Sequence, residues 1–282
     1  MRYYVITPAK NEENYISLTL ESMVQQTLKP VKWIIVDDGS TDKTREIVEK
    51  YCKVYSWIEV MSIENKEEKK LYGSKVVKAF NVGYNTIKNN ESDFIVKLDA
   101  DLSFAPNYFE EIALAFKANN KLGICAGYVV MNESELVQKK AQQTYLVGAI
   151  KSVQTNCFHQ IGGFLEANGW DGLDQLSALY LGWQVEHIPL TVIHHRFPTS
   201  EYLSLQFFYN NGVAHYRSGN DFFLTLVRSV VQLTQKPYIL GSFNYLKGYW
   251  YAKKTKQPML VNQGLAKFIR SYHYKRLLKM KR

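Results

Sequence analysis

Short apolar runs alternate with longer amphipathic stretches over the first part of the chain. The runs from Tyr3 to Ile6, Trp33 to Val36, Trp57 to Met61, Phe94 to Leu98 and Gly123 to Val130 predict strands. Between them, helical patterns run from about Asn14 to Gln26, Asp42 to Tyr51, Lys75 to Lys88 and Asn107 to Asn119. Ser40 or Thr41 can cap the second of these, and Pro106 suits the first turn of the fourth. Strand and helix in alternation predict an α/β fold with a mainly parallel sheet flanked by helices. Past residue 200 the alternation stops. Aromatic-rich helical patterns follow from Tyr202 to Arg217, Asp221 to Gln235 and Tyr238 to Ala252. The chain thus divides into residues 1–197, an α/β domain, and residues 198–282, a helical appendage. No Gly/Ser/Pro-rich linker, internal repeat or low-complexity tract marks the junction.

A chain of 282 residues with 46% hydrophobic content can bury a full core. Its three cysteines, Cys52, Cys125 and Cys157, are odd in number and lack metal-ligand spacing. They predict reduced, buried thiols in a cytoplasmic protein. Met1 leads straight into the first strand pattern without a leader of the secretory type. No apolar run approaches the roughly 20 residues that span a bilayer; the best, from Phe222 to Val231, carries Arg228. The net charge of +9 is concentrated late, in Lys247, Lys253, Lys254, Lys256, Lys267, Arg270 and the terminal residues 275–282. Tyr249, Trp250, Tyr251, Tyr272 and Tyr274 interleave with that charge. Such a tail fits an anionic lipid surface or nucleic acid, and equally a solvated helical face.

The polar residues fall where an α/β sheet binds its ligands, beyond the carboxyl ends of the strands. Thr7-Pro8-Ala9-Lys10-Asn11-Glu12 follows the first strand, Asp37-Asp38-Gly39-Ser40-Thr41-Asp42 the second, and Asp99-Ala100-Asp101 the fourth. Three polar clusters therefore meet at one edge. If strand alternation continues through Asp99 and Asp101, both carboxylates point the same way. Two converging carboxylates repel unless a cation sits between them, and a hard divalent ion suits such oxygens. Alone, this pair is also compatible with a solvated turn.

In combination, Pro8-Ala-Lys-Asn11-Glu12, Val36-Asp37-Asp38-Gly39-Ser40-Thr41-Asp42, Ala79-Phe-Asn81-Val-Gly83 and Asp99-Ala-Asp101 resemble glycosyltransferase family 2, nucleotide-sugar enzymes with the GT-A fold. The resemblance covers about residues 1–197 and implies a Rossmann-like, mainly parallel sheet. It implies that Asp38 binds the nucleobase, with Pro8, Ala9 and Glu12 lining the same pocket. Asp37 and Asp42 read instead as turn and cap residues. Lys75 stands where the family places a basic residue near the diphosphate, although the charged run from Glu64 to Lys70 beside it also allows a solvated role. Asp101 would bind Mg²⁺ or Mn²⁺ directly, and Asp99 would be shared between ribose and metal.

The same resemblance places a general base after Ile161-Gly-Gly-Phe164. An ungapped count back from Gly182 assigns Asp171 to that role and puts Trp170 where a glutamate is usual; Asp174, one helical turn on, is the alternative. Trp170 and Trp183 bracket the segment, and Trp170 is the candidate platform for a sugar ring, with a core position the competing reading. Pro189 to Arg196 reads as a strand ending in a histidine pair, of which one side chain enters the cleft. His195 is favoured there as a metal or diphosphate ligand, with His194 the alternative.

The expectation is an inverting, divalent-cation-dependent transferase moving a sugar from a nucleoside diphosphate donor, UDP first, to a hydroxyl of a saccharide or lipid-linked acceptor. Cell-surface polysaccharide or glycolipid synthesis, in the cytoplasm or peripherally at the inner membrane face, is the implied setting. A glycosidase needs neither nucleotide clusters nor a metal pair. A sugar-nucleotide-forming nucleotidyltransferase is the alternative enzyme, but Thr7-Pro8-Ala9-Lys10-Asn11-Glu12 is not a Gly-rich phosphate loop. A noncatalytic nucleotide-binding module comes next, and nucleic acid last, because no nucleic-acid motif accompanies the basic tail.

Overall fold

The computed structural model describes residues 1–63, 74–131, 145–196, 204–234 and 236–279. The first half alternates as its pattern predicts: β1 (Tyr3–Ala9), α1 (Ile16–Val24), β2 (Lys32–Asp37), α2 (Thr44–Val54), β3 (Ile58–Ser62), α3 (Ser74–Asn85) and β4 (Phe94–Leu98). There follow β5 (Leu102–Phe104), α4 (Tyr108–Ala118), β6 (Leu122–Val130), β7 (Ile150–Gln154), α5 (Thr155–Gln160), α6 (Trp170–Tyr180) and β8 (Gln184–His194). Four helices complete the chain: α7 (Leu205–Arg217), α8 (Phe222–Gln232), α9 (Ile239–Lys254) and α10 (Gln263–Lys279).

One sheet of eight strands runs β3-β2-β1-β4-β7-β6-β8-β5. The block from β3 to β4 is parallel throughout, as βαβ crossovers require. Beyond it the sheet is mixed: β7 is antiparallel to both β4 and β6, β8 is parallel to β6, and β5 is antiparallel to β8. The sheet is therefore less uniformly parallel than the pattern of its first half suggests. Two strands escaped the apolar pattern for physical reasons. β5 has three residues, too few for periodicity, and β7 reads Ile-Lys-Ser-Val-Gln because it buries Lys151 and Ser152.

The core lies between sheet and helices, with Tyr3, Trp33, Phe94 and Phe109 fully buried and Tyr3 stacked on Phe94 at 4.7 Å. At Gly83, a Cβ would stand 2.9 Å from methyl carbons of Ile6 and Val36, so α3 can lie this close to β1 and β2 only with glycine there. That contact gives the Ala79–Gly83 motif a packing role. The three cysteines are free, with Cys125 and Cys157 buried.

The C-terminal helices begin at Leu205; the boundary at 197/198 and the expected start at Tyr202 lie outside the described residues, as do the charged run from Glu64 to Lys70 and the last residues of the basic tail. α10 packs on α6 through Leu265 and Ile269 against Leu173 and Leu176. Among the described residues no helix is long and apolar enough to cross a membrane. Of the aromatic residues interleaved with the basic charge, Tyr249 is buried while Trp250 and Tyr251 are exposed.

Candidate active site

Register brings the first two polar clusters together. Pro8 pairs with Val36 and Ala9 with Asp37, and the Asp38 amide donates to the Ala9 carbonyl at 2.9 Å. Four further bonds stitch the loops. Asn11, at φ +55°, donates its amide to Ser40 Oγ and accepts from the Thr41 amide, while the Glu12 amide donates to Thr44 Oγ1 and the Glu13 amide to Asp42. Asp37 accepts from the Ser40 amide at 2.9 Å across the left-handed Gly39, and Asp42 accepts from the Thr44 amide at 3.0 Å; both bonds are local turn bonds, and the N-cap of α2 is Lys43. Asp38 and Ala9 are buried at this junction, with Pro8 half-buried beside them. Lys75 sits in the first turn of α3, which returns along the parallel block and so starts on the carboxyl-end side of the sheet.

The third cluster departs from simple alternation. β4 ends at Leu98, and Asp99 and Asp101 lie in the turn to β5, so the pleat does not set their direction. Tertiary contacts do. The Asp99 amide donates to the Ala149 carbonyl, and its carboxylate pairs with Lys97, a buried residue of β4. Asp101 is held from the other side. β5 pairs with the end of β8, Leu102 opposite His194, which brings His194 Nε2 to 3.1 Å from Asp101 Oδ2 and Arg196 Nε to 3.4 Å from the same oxygen. Arg196 continues to Glu12, forming an ion pair, and closes the ring between the first and third clusters. His195 turns away and bonds Ser103 Oγ at 2.8 Å. Of the histidine pair, the geometry therefore favours His194 over His195 at Asp101. One strand step decides it.

Electrostatics divide the carboxyls. Desolvation and the neighbouring Asp101 charge push Asp99 up despite Lys97. Desolvation opposes ionisation of Asp101 as well, but the His194 hydrogen bond and the charges of His194 and Arg196 outweigh it and hold Asp101 below the usual range. Burial works against charge on His194, yet its bond to Asp101 raises it. Glu12 is pushed up to about 8 by burial and by Asp101, against the pull of Arg196.

Asp101 Oδ1 is buried and, among the described residues, has no hydrogen-bond partner. An orphaned carboxylate oxygen at the mouth of a parallel sheet fits a hard divalent cation. Among the described residues no group of three or more His, Cys, Asp or Glu encloses an ion. Such a site suits Mg²⁺ or Mn²⁺ sharing its shell with phosphate oxygens.

The candidate base lies across a short bridge. Lys97 Nζ, besides pairing with Asp99, donates to the Gly148 carbonyl at 2.5 Å. A Cβ on Gly148 would stand 3.4 Å from Asp171 Oδ2 and 3.0 Å from the Trp170 ring. Asp171 lies in the first turn of α6, where the N-cap is Gly169 at φ +77°, so Asp171 is not the cap. Among the described residues no hydrogen bond or ion pair engages its carboxylate. Asp174 is the opposite case. Both its oxygens accept from Lys151 Nζ, at 2.8 and 2.7 Å, one also accepts from the Gln175 amide, and burial pushes it up to about 6. It is a buried counter-ion with no oxygen to spare.

Trp170 is 6% exposed. Its ring packs on Phe164 at 4.9 Å, with the Lys97 and Lys151 ammoniums 5.6 and 5.1 Å from the centroid. The geometry thus corrects the platform expectation: the ring is part of the core that carries Asp171. Sequence reasoning gave no role to Lys97, Lys151 and Arg196. A lysine inside the apolar run Phe-Ile-Val-Lys-Leu is the signal that could have found the first.

Comparison with known proteins gives the same framework. A sequence model for Glycosyl transferase family 2 matches residues 4–170. The minor teichoic acid biosynthesis protein GgaA of Bacillus subtilis is 31% identical over 114 residues, which are 39% of this chain and 24% of that protein. The chain therefore spans about a quarter of that curated relative's length. Two solved structures share the fold. The mannosyltransferase PcManGT from Pyrobaculum calidifontis, in complex with GDP-Man and Mn²⁺, superposes with a TM-score of 0.55 at 15% identity, covering 98% of this chain and 80% of that one. S. aureus TarS 1–349 in complex with UDP-GlcNAc gives 0.55 at 18% identity, covering 92% and 74%.

Proposed function

The chain belongs to glycosyltransferase family 2, and on that premise we propose that it is an inverting, divalent-cation-dependent transferase acting from a nucleoside diphosphate sugar onto a hydroxyl. The observation that carries the reading is the division among carboxyls at one sheet edge: among the described residues, Asp101 offers a buried unpartnered oxygen, Asp171 an unengaged carboxylate, and Asp174 neither.

In this reading Asp38, Pro8, Ala9 and Glu12 receive the nucleoside, and Lys75 faces the diphosphate. Asp101 would hold the ion, with Asp99 and His194 beside it. A bound divalent cation supplies Lewis-acid stabilisation of the charge that builds on the departing diphosphate. Asp171 takes the proton from the acceptor hydroxyl as that oxygen attacks the anomeric carbon opposite the leaving group, and one direct displacement inverts the centre. Asp171 needs a free carboxylate for this, which excludes Asp174 from the role. The solved relatives that carry UDP-GlcNAc or GDP-Man with Mn²⁺ support the donor class and the ion. We keep UDP as the first donor. The teichoic acid relative supports a role in making a cell-surface polymer; the acceptor in this reading is a saccharide or lipid-linked hydroxyl on the cytoplasmic side. Residues 1–197 would form the transferase domain and 198–282 its helical appendage.

A screen of UDP, GDP and dTDP sugars with Mn²⁺ or Mg²⁺, reading nucleoside diphosphate release and donor binding, tests the proposal. Release or binding with one donor class, abolished by EDTA, is expected. No binding and no turnover with any donor would refute it.

A further inference from the structure

The C-terminal helices carry an apolar surface that remains exposed among the described residues. α9 buries Gly241, Ser242, Tyr245, Gly248, Tyr249 and Ala252 on one face. Its opposite face is also apolar: Ile239 is 74% exposed, Phe243 64% and Trp250 50%. Leu240, Phe243, Lys247, Trp250 and Lys254 recur at helical spacing, so they form one stripe along the helix.

A second stripe lies beside it on α8, where Phe222, Leu226, Val230 and Leu233 are exposed. Two contacts fix how the stripes align. The Phe222 and Trp250 rings meet at 5.4 Å, and the Ser229 and Ser242 hydroxyls at 2.6 Å. The helices therefore run antiparallel, with Phe222 beside Trp250 at one end of the pair. Single exposed apolar side chains need no explanation, but a continuous two-helix face does.

Charge identifies what covers it. After Asp221 the chain contains thirteen of its 35 Lys and Arg residues and none of its 26 Asp and Glu residues. Lys247, Lys253 and Lys254 are exposed at the Trp250 end, with Lys253 Nζ 5.0 Å from the Trp250 ring centroid. A second copy pairing through the same face would bring no Asp or Glu from residues 222–282 to meet these lysines. An apolar, aromatic face with exposed lysines along it matches the acyl boundary and phosphates of an anionic bilayer.

We propose that the outer face of α8 and α9 docks this protein onto an anionic lipid bilayer. Phe243, Val230 and Trp250 enter the headgroup boundary while Lys247, Lys253 and Lys254 hold lipid phosphates. The docking element is this two-helix face; Tyr249 is buried, and Tyr274 donates its hydroxyl to Asp221. The proposal does not depend on the transferase reading.

Sedimentation of the full chain with vesicles of phosphatidylcholine alone, or mixed with phosphatidylglycerol, tests it at low salt. The protein is expected to pellet with the mixed vesicles only. Phe243→Ser with Trp250→Ser should weaken that binding at least about tenfold, with circular dichroism unchanged because both side chains are exposed. Lys247→Gln, Lys253→Gln and Lys254→Gln together should weaken it at least about tenfold as well. As a check that spares the fold, quenching of tryptophan fluorescence by brominated phosphatidylglycerol should fall in Trp250→Phe. No pelleting, or pelleting equal in wild type and both variants, would overturn the proposal. So would a dimer in solution that the Phe243/Trp250 variant converts to monomer, because a second copy would then cover the face.

Discussion

Lys97 and Lys151 stand opposite each other in the β4–β7 ladder, both buried, with the Trp170 ring near both ammoniums. Burying two cations costs several kcal/mol each unless each finds a counter-charge and further acceptors. Lys97 has Asp99 and the Gly148 carbonyl; Lys151 has Asp174 and the Asp171 carbonyl. The pairs thus fix the two backbone segments that carry the candidate ligand and the candidate base. Replacing Lys151 by Met should leave Asp174 uncompensated and cost about 3–5 kcal/mol, whereas adding Asp174→Leu should recover much of that loss; urea denaturation of both variants checks it. At this scale the sequence singled out a set of carboxyls but not how they are engaged. Asp171 and Asp174 are one helical turn apart and of identical chemistry, and only Lys151, on a strand the apolar pattern missed, separates their roles. His194 and His195 differ by one strand step, which the β5 pairing sets from about ninety residues away.

The parallel block and its helices were legible because each element carries its own period; the expected start signals were not borne out, since α2 and α4 have Lys43 and Asn107 as N-caps, neither with a side-chain capping bond. β5 and β7 were not legible, since their existence depends on partners. β7 is a strand because it completes a ladder between β4 and β6 and buries Lys151 beside Asp174. Similar logic governs the C-terminal helices: the pattern gave approximate spans for α8 and α9 and the end of α7, but neither α10 nor the packing of the four. α7 and α9 cross so closely that a Cβ at Gly212 would stand 1.9 Å from the Tyr245 carbonyl oxygen, and one at Gly248 2.0 Å from that of Tyr209. Neither glycine carries a positive φ, so close approach is their reason. Gly212→Ala adds helix propensity in isolation, but here it must push the helices apart. A loss of about 1–3 kcal/mol is expected, seen as a lower melting temperature; a stabilised variant would contradict the crossing.

On the scale of the whole molecule, two surfaces organise the chain. One is the carboxyl edge of the sheet, where Glu12, Asp38, Asp99, Asp101, Asp171, His194 and Arg196 arrive from five separate segments. The other is the outer face of α8 and α9. α10, packed on the helix that carries Asp171, ties the appendage to the α/β domain. Composition pointed to basic charge at the C-terminal end, but only the helix pairing shows that the exposed aromatic residues and the lysines share a side. The central claim concerns the first surface: metal and donor on Asp101, proton transfer on Asp171. Calorimetric titration of nucleoside diphosphate sugar with Mn²⁺, paired with a transfer assay, tests it most directly in Asp101→Asn and Asp171→Asn. The account predicts that Asp101→Asn loses metal-dependent donor binding, while Asp171→Asn binds donor like wild type and transfers at least about 100-fold more slowly. Unchanged metal-dependent binding in Asp101→Asn, or unimpaired transfer in Asp171→Asn, would contradict it.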